Sequence, residues 1–344
     1  MNMELSAPPV ATCPVTTHLP QTAPHIRDLP LKVGTRGSPL AVTQTRAFVR
    51  DLHLVCPALA GENTIETIIK TSGDASQASN CRLADIGGKG LFSKELDEAM
   101  LAGRIDIAVH SLKDLETVLR PGIIIGCYAP REDPRDVLIL GPDASTPDPW
   151  DPFASLPDNA IVGTASVRRQ AQLLHARPDL RVGLIRGNVS TRLDKVAAGQ
   201  HQATLLAYAG LRRLGLAHRA SLIIHPEIMI PAAGQGIVAI TVRESDTQMR
   251  EMLALINDQD ANLAAVAERA LLAVLDGSCS TPIGSHARIF EDGTLHLTGL
   301  VASPDGGFYL KRELRGPMLD AERIGRELGA SLKRDSPASI FTLS

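Results

Sequence analysis

From Leu31 onward, short apolar runs alternate with stretches in which apolar residues recur every three or four positions, the pattern of strands alternating with amphipathic helices in an α/β fold. The runs predict strands at Leu31–Thr35, Thr64–Lys70, Ile105–His110, Gly122–Tyr128, Val137–Leu140, Ala160–Gly163, Val182–Ile185, Thr204–Ala207 and Ile237–Val242. Helical spacing falls between them at Pro39–Leu52, Leu91–Leu101, Val167–Leu174, Thr191–Ala198 and Leu211–Leu214. Later the pattern changes. Two helices, Thr247–Ile256 and Ala261–Leu275, precede strands at His286–Phe290, Thr294–Ala302 and Gly307–Arg315, divided by Glu-Asp-Gly and Pro-Asp-Gly-Gly turns, and a last helix at Leu319–Lys333. That predicts a small α+β unit after the α/β part.

Two segments break the pattern. Residues 1–30 hold six prolines, four threonines and only three charged residues, which reads as a disordered tail with no catalytic part. Gly141–Asn159 is rich in proline and aspartate, and composition alone places a domain boundary there. A length of 344 residues calls for two or three domains.

Composition narrows the function classes. A net charge of −3 and 3% aromatic residues exclude a protein-wide basic field and base-stacking platforms, so no nucleic-acid partner is expected. No apolar run approaches the ~20 residues that cross a bilayer, so no membrane partner is expected either. Five cysteines without a C-x-x-C pair argue against a disulfide framework or a zinc site; no metal is expected, and the reducing cytoplasm is the natural location.

One local pattern occurs three times: a strand end, a hydroxyl residue with arginine, then a helix start. The copies are Gly34-Thr35-Arg36-Gly37-Ser38-Pro39, Gly163-Thr164-Ala165-Ser166-Val167-Arg168-Arg169 and Arg186-Gly187-Asn188-Val189-Ser190-Thr191-Arg192. The carboxyl ends of strands in α/β sheets form ligand crevices, and helix N-termini beside forked guanidinium groups suit carboxylate or phosphate. Any one of these arginines is as easily a solvated surface charge, but five at three such positions point to a cleft for a polyanion. Gly87-Gly88-Lys89-Gly90 lacks the Lys-[Ser/Thr] of a nucleotide loop and reads as a turn with a surface lysine, or as a mobile lysine closing on a carboxylate. The strand through Ile107 ends in His110-Ser111-Leu112-Lys113-Asp114, where an aspartate can stabilise a developing cation, while His110 reads as a structural histidine. Cys127, inside an apolar strand, reads as a small buried hydrophobe; Cys279, between Ser278 and Ser280, is suited to covalent chemistry.

Taken together, the blocks TRGSPLA (35–41), GGKGLFSKELDEA (87–99), DIAVHSLKD (106–114), REDPRD (131–136), VGTASVRRQ (162–170), RPDL (177–180), LIRGNVSTRL (184–193), AGLRRLGL (209–216), PAAGQG (231–236) and DGSCSTPIGS (276–285) closely resemble the porphobilinogen deaminases, also called hydroxymethylbilane synthases. The blocks stand in the family's order across nearly everything after residue 30. The resemblance implies two lobes like those of periplasmic binding proteins, linked by a double chain crossover, plus a small α+β C-terminal domain. It divides the chain after the 1–30 tail into domain 1 (31–130 and 236–255), domain 2 (131–235) and domain 3 (256–344), and so moves the first boundary earlier than the proline-rich loop.

The activity so implied is head-to-tail polymerisation of four porphobilinogen molecules with loss of ammonia, giving linear hydroxymethylbilane on a covalent dipyrromethane primer. By the same resemblance Asp114 is the catalytic carboxylate and Cys279 carries the cofactor through a thioether. Lys113, Ser166, Arg168, Arg169 and Arg192 hold cofactor carboxylates, and Arg36, Ser38, Lys89, Arg186 and Gln235 contact substrate. The chain is expected to be a monomer. It departs from many relatives at Asp85, where lysine is usual, and at Leu115-Glu116, where Val-Pro is usual. The rival reading is a non-catalytic small-anion-binding protein of the two-lobe type, since fold does not fix function.

Overall fold

A computed structural model describes residues 28–75, 92–142, 144–275 and 281–341. The first lobe opens with β1 (Leu31–Arg36), whose residues alternate into a core with Phe48 and Leu52 of α1 (Pro39–Val55). The turn between them is set by sequence: the Ser38 hydroxyl accepts from the Ala41 N–H at 3.3 Å, and Pro39 occupies the first helical turn, where its missing N–H costs nothing. Then come β2 (Thr64–Ile69), a single turn α2 (Ser72–Ala75), α3 (Lys94–Leu101), β3 (Ile107–Ser111) and β4 (Ile123–Tyr128). The chain crosses to the second lobe for β5 (Asp136–Leu140), β6 (Ile161–Gly163), α4 (Val167–Ala176), β7 (Arg181–Gly183), α5 (Val189–Ala197), β8 (Ala203–Ala207), α6 (Tyr208–Arg213) and β9 (Leu222–Ile223). It returns for β10 (Val238–Arg243) and α7 (Thr247–Ala254).

The two sheets have the same plan. In the first the order is β2-β1-β3-β10-β4, with β1 parallel to β2 and β3, and β10 antiparallel to β3 and β4. In the second it is β7-β6-β8-β5-β9, with β6 parallel to β7 and β8, and β5 antiparallel to β8 and β9. The fourth strand of each sheet is the one that follows a crossing. The two-lobe α/β architecture is therefore as expected, while the two-residue β9 was too short for periodicity to reveal.

The proline-rich stretch 141–159 is a loop inside the second lobe, not a boundary. Phe153 and Leu156 are buried with Leu138, Val162 and Leu205, so apolar anchors tie it to that lobe's core.

The two crossings lie against each other. The Glu132 N–H donates to the Gly236 carbonyl at 3.1 Å, and Arg131 Nε donates to the Gln235 carbonyl at 3.0 Å. Gly236 has φ +91°, and a Cβ there would stand 2.1 Å from the Glu132 oxygen, so only glycine allows this approach.

The C-terminal unit packs α8 (Gln259–Leu275) and α9 (Ala321–Arg334) on the antiparallel sheet β11 (Ile283–Ile289), β12 (Thr294–Ala302) and β13 (Tyr309–Pro317). This is the α+β unit read from the sequence. Its core also takes in Leu112, Leu115, Ile237 and Ala239 of the first lobe, so the turn after β3 is seated on it.

Candidate active site

The chemistry-bearing side chains collect at the carboxyl ends of the parallel strands, as the ligand crevice of an α/β sheet should. Asp114 closes a 3-10 turn, Leu112–Asp114, directly after β3. Its neighbours Leu112 and Leu115 are buried in the C-terminal unit's core, while Asp114 itself is exposed and lines a cleft with Arg36, Ser38, Gln44, Phe92, His110 and Ser111. Glu116, at the departure from Val-Pro, keeps this turn in place through its backbone: its carbonyl and that of Thr117 each accept from Arg269 Nη2 of α8 at 2.8 Å.

Arg36 ends β1. Its Nε and Nη2 donate to Asp74, whose carboxylate also accepts from the Thr71 hydroxyl at 2.8 Å, and its guanidinium lies 4.0 Å over the Phe92 ring. Ser38 is half-buried and caps α1. His110 is buried at 3.1 Å from the Thr241 hydroxyl, and burial with Arg36 nearby lowers its pKa to about 4, which fits the structural reading. Burial likewise pushes the Cys127 thiol up to about 12, leaving it inert.

In the second lobe Ser166 caps α4 and thereby starts the helix that carries Arg168 and Arg169. Both arginines converge on Asp136, the first residue of β5 and fully buried. Arg168 Nη1 donates to Asp136 Oδ2 at 2.7 Å and to the Ile230 carbonyl at 2.6 Å. Arg169 donates to Asp136 Oδ1 from Nε at 3.2 Å and from Nη2 at 2.8 Å, and its Nη1 to the Leu205 carbonyl at 2.9 Å. Arg186 is buried beyond β7, and Arg192 on α5 donates from Nε to the Gly187 carbonyl.

Burial dominates the electrostatics of the two remaining cations. Burial, with Arg169 and Arg168 nearby, lowers the Lys113 pKa to about 8 despite the opposing pull of Asp114 and Asp136. Burial and the charges of Arg169 and Arg186 lower Arg192 to about 10, although Asp114 acts the other way. Burial is the larger cause at both groups, so each keeps its charge at a desolvation cost that an anion in contact with it would offset.

Gln235, expected to contact substrate, is fully buried in this structure. Its amide nitrogen donates to the Pro134 carbonyl at 2.6 Å and to Asp136 Oδ1 at 2.9 Å, and its oxygen accepts from Lys113 Nζ at 3.3 Å. It bridges the lobes. Lys89 and Cys279 lie outside the described residues. Sequence reasoning missed Asp136, Asp74 and Glu268. Asp136 had a signal, a carboxylate opening an otherwise apolar strand inside the REDPRD block.

A family model described as "Porphobilinogen deaminase, dipyromethane cofactor binding domain" matches residues 31–251, and one for the "C-terminal domain" matches 262–334. The chain belongs to the porphobilinogen deaminase family. Similar curated relatives include the porphobilinogen deaminases of Nitrobacter hamburgensis, 46% identical over 92% of this chain and 96% of its own length, and of Paracoccus denitrificans, 42% identical over 92% and 97%. The chloroplastic porphobilinogen deaminase of Oryza sativa is 44% identical over 90% of this chain and 85% of its own. As a member of the porphobilinogen deaminase family, the chain is a transferase of tetrapyrrole biosynthesis with a dipyrromethane cofactor and porphobilinogen as substrate. That excludes the non-catalytic anion-binding reading. Among the described residues, no helix is long and apolar enough to cross a membrane.

Proposed function

We propose that this chain performs the hydroxymethylbilane synthase reaction with Asp114 as its catalytic carboxylate. The observation that carries the reading is the position of Asp114: exposed at the end of β3, beside Arg36 and close enough to Arg192 and Lys113 to act on both. Loss of ammonia from porphobilinogen leaves a cationic methylene-pyrrole, and a fixed carboxylate beside it lowers the cost of that charge. Arg36 suits a substrate carboxylate because Asp74 takes only its Nε–Nη2 side and Phe92 holds its plane. Ser38 lines the same cleft as Arg36, while Arg186 and Lys89 join the substrate contacts by their places in the sequence.

The donor set also fits the cofactor. Each pyrrole carries an acetate and a propionate, and Lys113, Arg168, Arg169 and Arg192, with Ser166 at the helix start, form a group of four cations in which Asp136 pairs Arg168 and Arg169. When bound, the dipyrromethane supplies the primer to which units are joined; Cys279 is its attachment point by its DGSC block. The lobes divide at the crossings, 131–135 and 231–237, with the C-terminal domain following α7. The chain works as a cytoplasmic monomer, the location resting on its cysteine usage.

The test is an intact mass. The wild type should exceed its sequence mass by two linked pyrrole units, and Cys279→Ala should lose that excess. A Cys279→Ala protein that keeps the adduct overturns the attachment.

A further inference from the structure

The two arginines assigned to the cofactor do not stand alone. They share one buried carboxylate, and that carboxylate is tied through Gln235 to the lysine beside Asp114. The connection runs from Lys113 Nζ to Gln235 Oε1, from Gln235 Nε2 to Asp136 Oδ1, and from Asp136 to Arg168 and Arg169. It starts in the first lobe, passes through the return crossing and ends in the second lobe. Every group between the ends is fully buried, so neither Asp136 nor Gln235 presents surface to the cleft in this structure.

The geometry points to Asp136 as a positioning residue that acts through Arg168 and Arg169, with Gln235 relaying its position to Lys113. Asp136 neutralises part of a cluster that would otherwise repel itself, and it fixes the plane of each guanidinium. Arg168 is held only at Nη1, by Asp136 and Ile230, and among the described residues its Nε–Nη2 edge has no protein partner. That edge has the two-donor spacing that grips a carboxylate. Arg169 is engaged at all three nitrogens and buttresses Asp136. Asp136 thus determines where the open edge of Arg168 points, and Gln235 fixes the distance from that edge to Lys113. Asp136 remains ionised throughout: burial alone would raise its pKa, but the two arginines hold it far below the usual carboxylate range.

The proposal rests on the reading that Arg168 and Arg169 hold the cofactor, and the experiment keeps the two apart. Asp136→Glu retains the charge but displaces it by one methylene; Gln235→Leu retains the Asp136–arginine group but cuts the relay. Each is purified and measured for melting temperature, for the fraction carrying the two-pyrrole mass excess, and for KM and kcat separately. Asp136→Glu should melt near the wild type yet carry much less adduct. Gln235→Leu should keep its adduct but raise KM about fivefold, the size of one lost hydrogen bond, with kcat less affected. Asp136→Asn should lose the adduct altogether, with Asp136→Glu recovering part of it. If either Asp136→Glu or Gln235→Leu is wild type in both adduct and KM, the positioning role is wrong. Arg168→Leu tests the underlying reading: a full adduct there overturns that reading, whereas loss of adduct there alone overturns only the role of Asp136.

Discussion

Glu268, in the middle of α8, accepts a 2.7 Å hydrogen bond from Arg131 of the first crossing, and its other oxygen accepts the Gly234 N–H of the second at 2.6 Å. The Ala287 N–H of β11 completes the set at 2.7 Å. One fully buried carboxylate therefore binds both crossings to the C-terminal unit. The position of that unit is set from the same point as the two crossings.

Glu268→Gln is expected to destabilise strongly. The amide loses the charge that balances Arg131 and must turn an NH2 group towards donors. Breaking a buried ion pair on one side costs about 3–5 kcal/mol. Chemical denaturation of the variant and the wild type measures it; a loss below about 1 kcal/mol would mean that Glu268 is not the tie described.

Asp114→Asn should fold normally but lose roughly 10²–10³ in single-turnover rate, the usual cost of removing one well-placed electrostatic stabiliser. Asp114→Glu keeps the charge and should retain more. Equal and near-normal rates in both would remove Asp114 from the chemistry.

Lys113 gives a pH signature in protein without the cofactor, prepared on the Cys279→Ala background. Its folded-state pKa lies below its unfolded value, so the protonated lysine costs stability at neutral pH, and that cost is relieved as pH rises from about 8 towards the ordinary lysine range. Lys113→Met should therefore melt above its parent at pH 7, with the gap closing above pH 8. A gap that stays constant from pH 7 to 10 would contradict the desolvation of the Lys113 ammonium by burial.

Gly236→Ala should damage the crossing itself. An added Cβ would meet the Glu132 carbonyl at 2.1 Å, on a backbone with φ +91° that side chains rarely adopt. Overpacking and backbone strain together should exceed about 3 kcal/mol. Urea titration checks this, and a wild-type midpoint would show that the two crossings separate at little cost.

Arg36, Asp114, Arg168 and Arg192 were legible because strand-end motifs announce themselves: a short apolar run, a hydroxyl or glycine, then a charge. Gln235 and Glu268 carry no such mark, and Asp136 has only its place at the start of an apolar strand. Each is a polar residue in a buried place, and its partners are distant in sequence; Arg131 and Glu268 are 137 residues apart. Glu268 sits in α8 among alanines and leucines, where an isolated charge reads as solvent-facing. Gln235 belonged to a recognisable block, but a block does not tell a cleft contact from a buried bridge. The misplaced boundary at 141–159 has the same origin, since composition registers the prolines and aspartates and not the burial of Phe153 and Leu156.

The insertion of β10 as the fourth strand of the first sheet also sets the order in which the molecule can be built. The strands of the second sheet all come from one uninterrupted stretch, Asp136 to Ile223, so that lobe can assemble as soon as the stretch has been synthesised. The first cannot. β3 and β4 are made early but never pair with each other; the place between them stays empty until β10 arrives, more than a hundred residues later. Throughout that interval the nascent chain presents unpaired apolar strand edges, the kind of surface that invites aggregation. The lobe that carries Asp114 is thus the last of the two to form.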